Sequence, residues 1–354
     1  MDGRPKHCAI TPYSRGAGSS RVRVFEWLDR VDTHFTVSSY ASFTDAAPTR
    51  LVRHPLTVAR AEQRLHRLAL ARPARLLLHR EASPLSRGWW EQRLLTCADF
   101  AVYDFDDALQ WDRGTGGLAR RWAPKAAKAS LAVRHADRVI AGNEVLGDWA
   151  AQHHGDVVVI PSCVAPEDYV PKTSYAVHDP PRLGWIGSQG NEGCLLLVAD
   201  ALEELHRRCG ARLTLVGTTQ RRLGRMETFI DRVAWSPKSQ RTLPAQLDIG
   251  LMPLPSSPYT LGKCGYKLLQ YGAAGLPAVA TPVGVNAEIL RRFRMPAPID
   301  EDDWVDVIQG LLNASDAVRE QLGRHARDVV GRSYSYDAWL PRWRAALELG
   351  GARP

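Results

Sequence analysis

The chain has 354 residues, of which 45% are hydrophobic and 24% are charged, a composition ordinary for a globular protein with two domains. Its net charge is +8, and residues 1–170 and 171–354 each contain 23 basic and 19 acidic residues. Nucleic-acid binders usually concentrate positive charge on one element, so we expect no nucleic-acid partner. The six cysteines form no C-x-x-C pair or zinc-like spacing, which indicates free thiols in a reducing cytoplasm.

Membrane insertion and secretion are both unexpected from the sequence. The chain has no uncharged apolar run of membrane-spanning length. The first residues, MDGRPKHCAITPYS, contain no apolar stretch typical of a secretory signal. We therefore expect a cytoplasmic protein.

Strand and helix patterns alternate through the first half of the chain. Strand patterns cover 7–13, 33–40, 74–81, 99–105, 138–142 and 156–162. Helical patterns cover 20–29, 56–71, 86–97, 124–136 and 143–152. This alternation predicts a parallel sheet with helices on both faces.

The alternation restarts after residues 161–182, which contain five prolines and little periodicity. Strand patterns follow at 182–187, 212–217, 232–237, 248–254 and 277–282, with helical patterns at 191–208, 265–274 and 302–349. We predict two Rossmann-like, doubly wound α/β domains, 1–165 and 182–330, facing across a cleft and joined by the linker 166–181. A final helix in 331–354 is expected to pack back on the N-terminal domain. In such sheets, ligands bind at the carboxyl ends of strands.

The first strand is followed by a glycine loop, SRGAGSSRVR, at 14–23. Arg21 stands where the dinucleotide fingerprint G-x-G-x-x-G requires glycine, so that fingerprint is absent. Gly16, Gly18, Ser19 and Arg21 could hold an anion or substrate at a helix N-terminus. Alternatively, Ser19 or Ser20 is a plain N-cap. The loop alone does not separate these interpretations.

Acidic residues crowd the end of another strand, in VYDFDDAL at 102–109. Asp104, Asp106 and Asp107 should raise one another's pKa, and they could serve as a general base, a metal site or an acceptor contact. Solvated residues capping the next helix are the alternative. Arg80 and Glu81, in HREASP, also follow a strand and either form a simple ion pair or contact a ligand.

Two stretches of the second half suggest phosphate binding. GWIGSQGNEG, at 184–193, places Gly187 and Ser188 between a strand and a helix. GKCGYKLLQYGAAGLPAVATPVG, at 262–284, places glycines and lysines at the start of a helix. A helix N-terminus attracts anions, and glycine lets a ligand approach the backbone.

A basic helix is predicted over residues 55–75, in which Glu62 is the one acid beside five arginines. Such a helix could lie on an anionic membrane surface. The favoured interpretation is an ordinary surface helix, because Leu65, Leu68 and Ala69 suffice to dock it on a sheet.

Residues 248–290 resemble the donor-binding signature of the family 4 retaining glycosyltransferases, which have the GT-B fold. Residues 159–171 are similar to the segment that joins that family's domains, and LGWIGSQGNEG resembles the first strand and loop of its nucleotide-binding domain. The resemblance covers nearly the whole chain. It implies transfer of a hexose from a nucleotide sugar, most often a UDP-sugar, with retention of configuration and with no metal or other cofactor.

The chain departs from the family signature at its two glutamates, where Gly262 and Gln270 stand here. The resemblance implies that Lys263 and Lys267 supply the cation for the diphosphate. The residues it assigns to the donor are Gly16, Gly18, Gly187, Ser188, Lys263, Gly265, Lys267, Gln270 and Glu288.

On the acceptor side, the resemblance implies contacts from Ser19, Arg21, Arg80, Glu81 and Asp107. Asp104, Asp106 and Lys267 are the catalytic candidates. The acceptor would be a hydroxyl or an amine of a sugar, a natural product or a lipid-linked molecule. Two alternatives stay open. Loss of both signature glutamates favours a catalytically degenerate nucleotide-sugar-binding partner protein. A nucleotide-sugar 2-epimerase shares the architecture, but no histidine adjoins the donor signature.

Overall fold

The structure, a computed structural model, describes residues 6–41, 51, 53–112, 122–217, 222–300 and 302–350. The chain forms two compact units. Unit 1 comprises Met1–Ser162, Gly262–Cys264 and Trp339–Pro354, and unit 2 comprises Cys163–Leu261 and Gly265–Ala338. Each unit has its own parallel sheet and its own hydrophobic core.

The sheet of unit 1 has six parallel strands in the order β2-β1-β3-β4-β5-β6. The strands are β1 (His7–Tyr13), β2 (Thr36–Ala41), β3 (Arg75–His79), β4 (Phe100–Phe105), β5 (Arg138–Ala141) and β6 (Val157–Val159). Helical segments connect them: α1 (Gly18–Ser20, Arg21–Phe25 and Glu26–Leu28), α2 (Pro55–Ala71), α3 (Trp89–Cys97), α4 (Lys125–His135) and α5 (Glu144–Ala151). All residues of β4 are buried, as expected for a strand covered by helices on both faces.

The first helix differs from its sequence prediction. It begins at Gly18 rather than near Ser20, and its middle turn, Arg21–Phe25, is π-helical. Its N-cap residue is Ala17, and no side chain caps it. The interpretation of Ser19 or Ser20 as an N-cap is therefore wrong, because both serines already lie inside the helix.

The sheet of unit 2 has five parallel strands in the order β11-β10-β7-β8-β9. The strands are β7 (Arg182–Ile186), β8 (Arg212–Gly217), β9 (Ile230–Ala234), β10 (Ile249–Met252) and β11 (Ala278–Ala280). The strand order reverses between β7 and β10, so the topological switch point lies there. This point is where ligands bind in open α/β sheets.

The helices of unit 2 begin with α6 (Ala199–Cys209), α7 (Pro237–Thr242), α8 (Pro258–Leu261), α9 (Tyr266–Ala274) and α10 (Val285–Phe293). The helical C-terminus consists of α11 (Asp303–Asn313), α12 (Asp316–Ser333) and α13 (Tyr336–Ala346). The helix predicted over 191–208 starts instead as a 3-10 segment, Gln189–Val198, before α6.

The C-terminal residues from Trp339 onward contribute to the core of unit 1. The ring of Trp343 stacks on that of Trp27 with centroids 5.3 Å apart. Residues 351–354 of the predicted last helix lie outside the described residues. Within the described ranges, every helix is too short or too polar to span a bilayer.

Candidate functional site

Asp104, near the end of β4, lies at the centre of a buried charge network in unit 1. Arg23 of α1 donates to both of its carboxylate oxygens, at 2.5 and 3.2 Å. His79 is the register partner of Asp104 on β3, and its Nδ1 lies 2.7 Å from Oδ1 of Asp104. All three side chains are at most 1% exposed. Asp104 is therefore held as a carboxylate between a guanidinium and an imidazole.

The ionisation of Asp104 follows from these contacts. Burial by itself would raise the pKa of Asp104, but the charge of Arg23 and the hydrogen bond from His79 more than offset it. The pKa of Asp104 therefore lies below its ordinary value. Because an ionised carboxylate only accepts hydrogen bonds, Nδ1 of His79 carries the proton. Nε2 has no hydrogen-bond partner among the described residues and lies 4.0 Å from Oδ1 of Asp106.

Asp106 and Asp107 form a second layer of the network. Arg80 donates from Nε to Asp106 at 2.7 Å and from Nη2 to Asp107 at 2.6 Å. Lys263 donates to the other oxygen of Asp107 at 2.9 Å. Arg80 holds this bridging position with a backbone φ of +61°, which is uncommon for a residue with a side chain.

These pairs reverse the expected effect of crowding on the acidic residues. Burial would raise the pKa of Asp106 and of Asp107, but Arg80 holds both values below the ordinary range, with Lys263 contributing at Asp107. The sequence prediction of mutually raised pKa values is therefore wrong. It counted the like charges and missed the cations that tertiary folding brings between them.

Glu81 is also buried and paired. Its carboxylate accepts from Nζ of Lys128 at 2.7 Å, and Lys128 donates as well to the carbonyl of Ser83 at 2.7 Å. Glu81 is 5% exposed and Lys128 is 1% exposed. The structure thus contains the simple ion pair that was one of the two interpretations of Glu81, with Lys128 of α4 as the partner in place of Arg80.

Residues Gly262–Cys264 pack into unit 1 beside this network. Nδ2 of Asn143 donates to the carbonyl of Gly262 at 3.0 Å, and Sγ of Cys264 donates to the carbonyl of Asp106 at 3.2 Å. A Cβ added to Gly262 would lie 2.6 Å from Cβ of Ala108 and 3.0 Å from its backbone nitrogen. This packing explains why Gly262 stands at a signature position where the resembled family has glutamate.

Two arginines of the glycine loop of unit 1 form ion pairs with acidic residues that lie nearby in the chain. Arg21 forms an ion pair with Glu26 at 3.2 Å, and Arg15 pairs with Asp29 at 2.6 Å. A Cβ added to Gly18 would meet nothing within 4 Å, so packing does not require glycine there. Gly16 is exposed and Ser19 is half-buried.

In unit 2, Lys267 and Gly187 meet at the carboxyl end of β7. Nζ of Lys267, in the first turn of α9, lies 5.0 Å from the ring centroid of Trp185. A Cβ added to Gly187 would lie 2.4 Å from the Trp185 ring and 2.9 Å from Cε of Lys267. Glycine is therefore required at 187, because the strand end, the indole and the lysine stem are in close contact.

Two helices of unit 2 begin at glycines in left-handed or related positive-φ conformations. Gly265 precedes α9 with φ +64°, and Gly284 precedes α10 with φ +55°. Asn286, in the first turn of α10, is fully buried, and its Oδ1 has no hydrogen-bond partner among the described residues. That oxygen lies 3.3 Å from the position of a Cβ on Gly265, so the two helix starts are neighbours.

The other residues predicted to bind the donor lie apart from this group. Gln270 is 3% exposed and donates to the Tyr169 hydroxyl at 3.2 Å, inside the core. Glu288 lies on the outer side of α10, paired with Arg291 and Arg292 at 2.7 and 2.6 Å. Ser188 is exposed, and its Oγ accepts from Asn191 at 3.2 Å.

The structure thus brings together Gly187, Gly265 and Lys267 in unit 2, and Arg80, Asp104, Asp106, Asp107 and Lys263 in unit 1. Sequence reasoning missed Arg23, His79, Trp185 and Asn286. His79 offered one signal, because it is a polar residue at the end of an otherwise apolar strand, as Asp104 is. The described residues include no group of three or more His, Cys, Asp or Glu side chains arranged to hold a metal ion.

A family model described as Glycosyl transferases group 1 matches residues 180–314 of this chain. This match supports a glycosyltransferase assignment for that part of the molecule. A comparison with curated protein sequences gives no significant match.

Several solved structures are similar over almost the whole chain. Anabaena Alr3699/HepE in complex with UDP-glucose has a TM-score of 0.69 at 14% identity, covering 97% of this chain and 99% of that one. WaaG, a glycosyltransferase involved in lipopolysaccharide biosynthesis, has a TM-score of 0.68 at 16% identity, covering 98% and 100%. An E. coli trehalose-6-phosphate structure bound with UDP-2-fluoro glucose has a TM-score of 0.64 at 11% identity, covering 98% and 100%. These likenesses confirm the predicted GT-B fold.

Proposed function

We propose that this chain is a retaining glycosyltransferase of the family 4 type, which transfers a hexose from a nucleotide sugar to an acceptor hydroxyl or amine. UDP-sugars are the first donors to test, because the similar Anabaena protein is described in complex with UDP-glucose. Retention of configuration rests on the resemblance of residues 248–290 to the family signature. Unit 2 is proposed to hold the donor and unit 1 the acceptor.

One observation carries this proposal: Lys267, Gly187 and Gly265 meet where β7 ends and α9 begins. A diphosphate at this position would face a helix N-terminus and an ammonium group. The indole of Trp185 holds the lysine stem in place, so Lys267 is positioned before the ligand arrives.

The chemistry of the transfer explains why a cation is needed there. The bond from the anomeric carbon to the diphosphate oxygen breaks, and its electron pair stays on the diphosphate. An acceptor oxygen forms the new bond to that carbon, and with retention its proton passes to the departing phosphate oxygen on the same face. Lys267 stabilises the charge that grows on the leaving group, which lowers the barrier more than it strengthens ground-state binding. We propose no metal ion for this role.

Unit 1 supplies an orienting surface in this proposal. Asp106 and Asp107 are ionised and fixed by Arg80, so they can accept hydrogen bonds from hydroxyl or amine groups without moving. Lys263 is paired with Asp107, and Lys267, in the first turn of α9, is the lysine that we propose for the diphosphate. Lys263 as a diphosphate ligand stays a sequence prediction.

The test is nucleotide binding and turnover by the full chain. We expect UDP to raise the Tm, and UDP-glucose or another UDP-sugar to be hydrolysed slowly when no acceptor is present. Lys267→Ala should weaken UDP binding at least tenfold and lower the rate of UDP release further. Lys238→Ala, which removes an exposed lysine of the same unit, should change neither. NMR of the anomeric proton of a transfer product checks retention.

Nucleotide binding without catalysis would identify the alternative of a catalytically degenerate partner protein. Its specific support is that Gly262 and Gln270 replace the signature glutamates, and that Gln270 points into the core. Selective nucleotide binding with no hydrolysis and no transfer, across a panel of UDP-, GDP-, dTDP- and ADP-sugars, would favour that alternative. Absence of binding to every member of the panel would overturn the proposed function.

A further inference from the structure

Helix α2 exposes a surface rich in arginine and leucine, which also includes Gln63 and His66. Ala61, Leu65 and Ala69 point into the core of unit 1. The outward face and its flanking turns carry exposed arginines and two exposed leucines. These residues are Arg53, Arg60, Arg64, Arg67 and Arg72, with Leu56 at 72% and Leu70 at 63% exposure. Such a face is strongly cationic and has apolar groups at both ends.

The one acidic residue of this helix contributes nothing to that face. Glu62 turns inward, where its carboxylate accepts from the Tyr40 hydroxyl at 2.8 Å, the Ser83 hydroxyl at 2.6 Å and Nε1 of Trp90 at 2.5 Å. Three donors engage Glu62, so it is not available to neutralise an arginine at the surface.

On two helices of unit 2, arginines are paired with a glutamate of their own helix. Glu204 binds Arg207 and Arg208 on α6, and Glu288 binds the two arginines of α10. By contrast, Arg60 and Arg67 make no hydrogen bond or ion pair with any other residue in the described parts of the chain. Their guanidinium groups are available to an external anion.

A groove lies beside these arginines, between α2 and β2, the edge strand of the sheet. Its volume is about 520 Å³, and Val37, Leu68 and Ala71 contribute apolar lining. Arg64 and Arg67 also line the groove, and Arg64 donates to the carbonyl of Ser39 at 3.0 Å, which fixes its guanidinium over the strand. The groove therefore combines apolar walls with cations.

We propose that this face of α2 and the adjoining groove bind the surface of an anionic phospholipid membrane. The lipid phosphates would pair with Arg60 and Arg67, while Leu56 and Leu70 enter the interface and the groove receives the start of an acyl chain. A soluble polyanion matches the charge but leaves the groove and the leucines without a role. A peptide strand paired to β2 would leave Arg60 and Arg67 unused.

The experiment is sedimentation of the full chain with sucrose-loaded vesicles, without nucleotide sugar, so its result is independent of the proposed catalysis. Vesicles of phosphatidylcholine with one quarter phosphatidylglycerol are compared with pure phosphatidylcholine, at low and high salt. Each arginine near an anionic surface contributes about a fivefold factor in partitioning. We expect binding to the anionic vesicles alone, and about a 25-fold loss in the Arg60→Gln/Arg67→Gln variant.

A matched control separates this site from general charge. Arg207→Gln/Arg208→Gln removes the same charge from unit 2, and it should lose less than twofold. Unchanged thermal melting of both variants checks that they fold. The proposal is overturned if the wild-type chain does not sediment with anionic vesicles, or if both double variants lose vesicle binding equally. It is also overturned if the chain binds heparin but not vesicles.

Discussion

The carboxyl ends of β3 and β4 in unit 1 and of β7 in unit 2 carry different kinds of residue. In unit 1, three carboxylates and three cations, all buried or half-buried, are paired with one another. In unit 2, Gly187 allows the Trp185 ring and the stem of Lys267 to pack against the strand end. A network of paired charges fixes the geometry of its groups, whereas a lysine beside a helix N-terminus can accept an anion. The two groups of strand ends thus differ in charge and packing, in line with the different ligands proposed for the two units.

The largest expected effect comes from breaking the network of unit 1 at its centre. Asp104→Ala leaves the buried guanidinium of Arg23 without its partner, so we expect a loss of about 3–5 kcal/mol in the free energy of unfolding. Urea denaturation measures it. Asp29→Ala, which removes the exposed partner of Arg15, should cost less than about 1 kcal/mol. Equal losses would mean that burial of the network contributes nothing.

The second-largest effect is expected at Gly187 in unit 2. Gly187→Ala places a methyl group against the Trp185 ring and the Lys267 stem, so the lysine must shift. We expect a loss of about 1–3 kcal/mol in stability and at least tenfold weaker UDP binding by calorimetry. Gly190→Ala is the control, because a Cβ there meets nothing within 4 Å. Unchanged UDP affinity in Gly187→Ala would remove this position from the donor site.

The third prediction concerns pH and unit 1. Arg80 lowers the pKa of Asp106 and of Asp107 in the folded state. Their contribution to stability is therefore fully present above the unfolded pKa of about 4, and it is lost as the pH falls from there through the lower folded-state pKa. Arg80→Gln raises these folded-state pKa values, so the variant should be less stable at pH 7 and should lose less of its stability in acid. The urea midpoint is measured from pH 2.5 to 7, with Arg87→Gln as the exposed control; coincident profiles would contradict the assignment.

The smallest effect is expected at Glu288, which is exposed and paired with Arg291 and Arg292. Glu288→Gln should change the free energy of unfolding by less than about 1 kcal/mol, because exposed ion pairs contribute little. Its geometry also leads us to expect a change in UDP affinity of less than twofold. Calorimetric titration tests this directly. A tenfold loss would return Glu288 to the donor site that the sequence resemblance implies.

Much of the fold could be read from the sequence, because strand and helix patterns are local. Runs such as ARLLLHRE and DFAVYDF contain their own periodicity, and both became strands, β3 and β4. Strand order could not be read, because pairing joins segments far apart in the chain. The start of α1 and the 3-10 segment at Gln189–Val198 were also misplaced, since helix ends depend on local hydrogen bonding that propensity describes poorly.

The candidate site, like the fold, could be predicted only in part from the sequence. The sequence by itself determined which residues could carry chemistry: glycines and Lys267 at a helix start, and acidic residues after a strand. Only the tertiary structure decided how these residues are paired and whether they are ionised. Arg23 lies 81 residues from Asp104 in the chain, yet it sets the ionisation of that carboxyl. The inward turn of Glu62 likewise left the α2 surface cationic. Charges act through space over a few ångströms, so their consequences appear only once folding has chosen the neighbours.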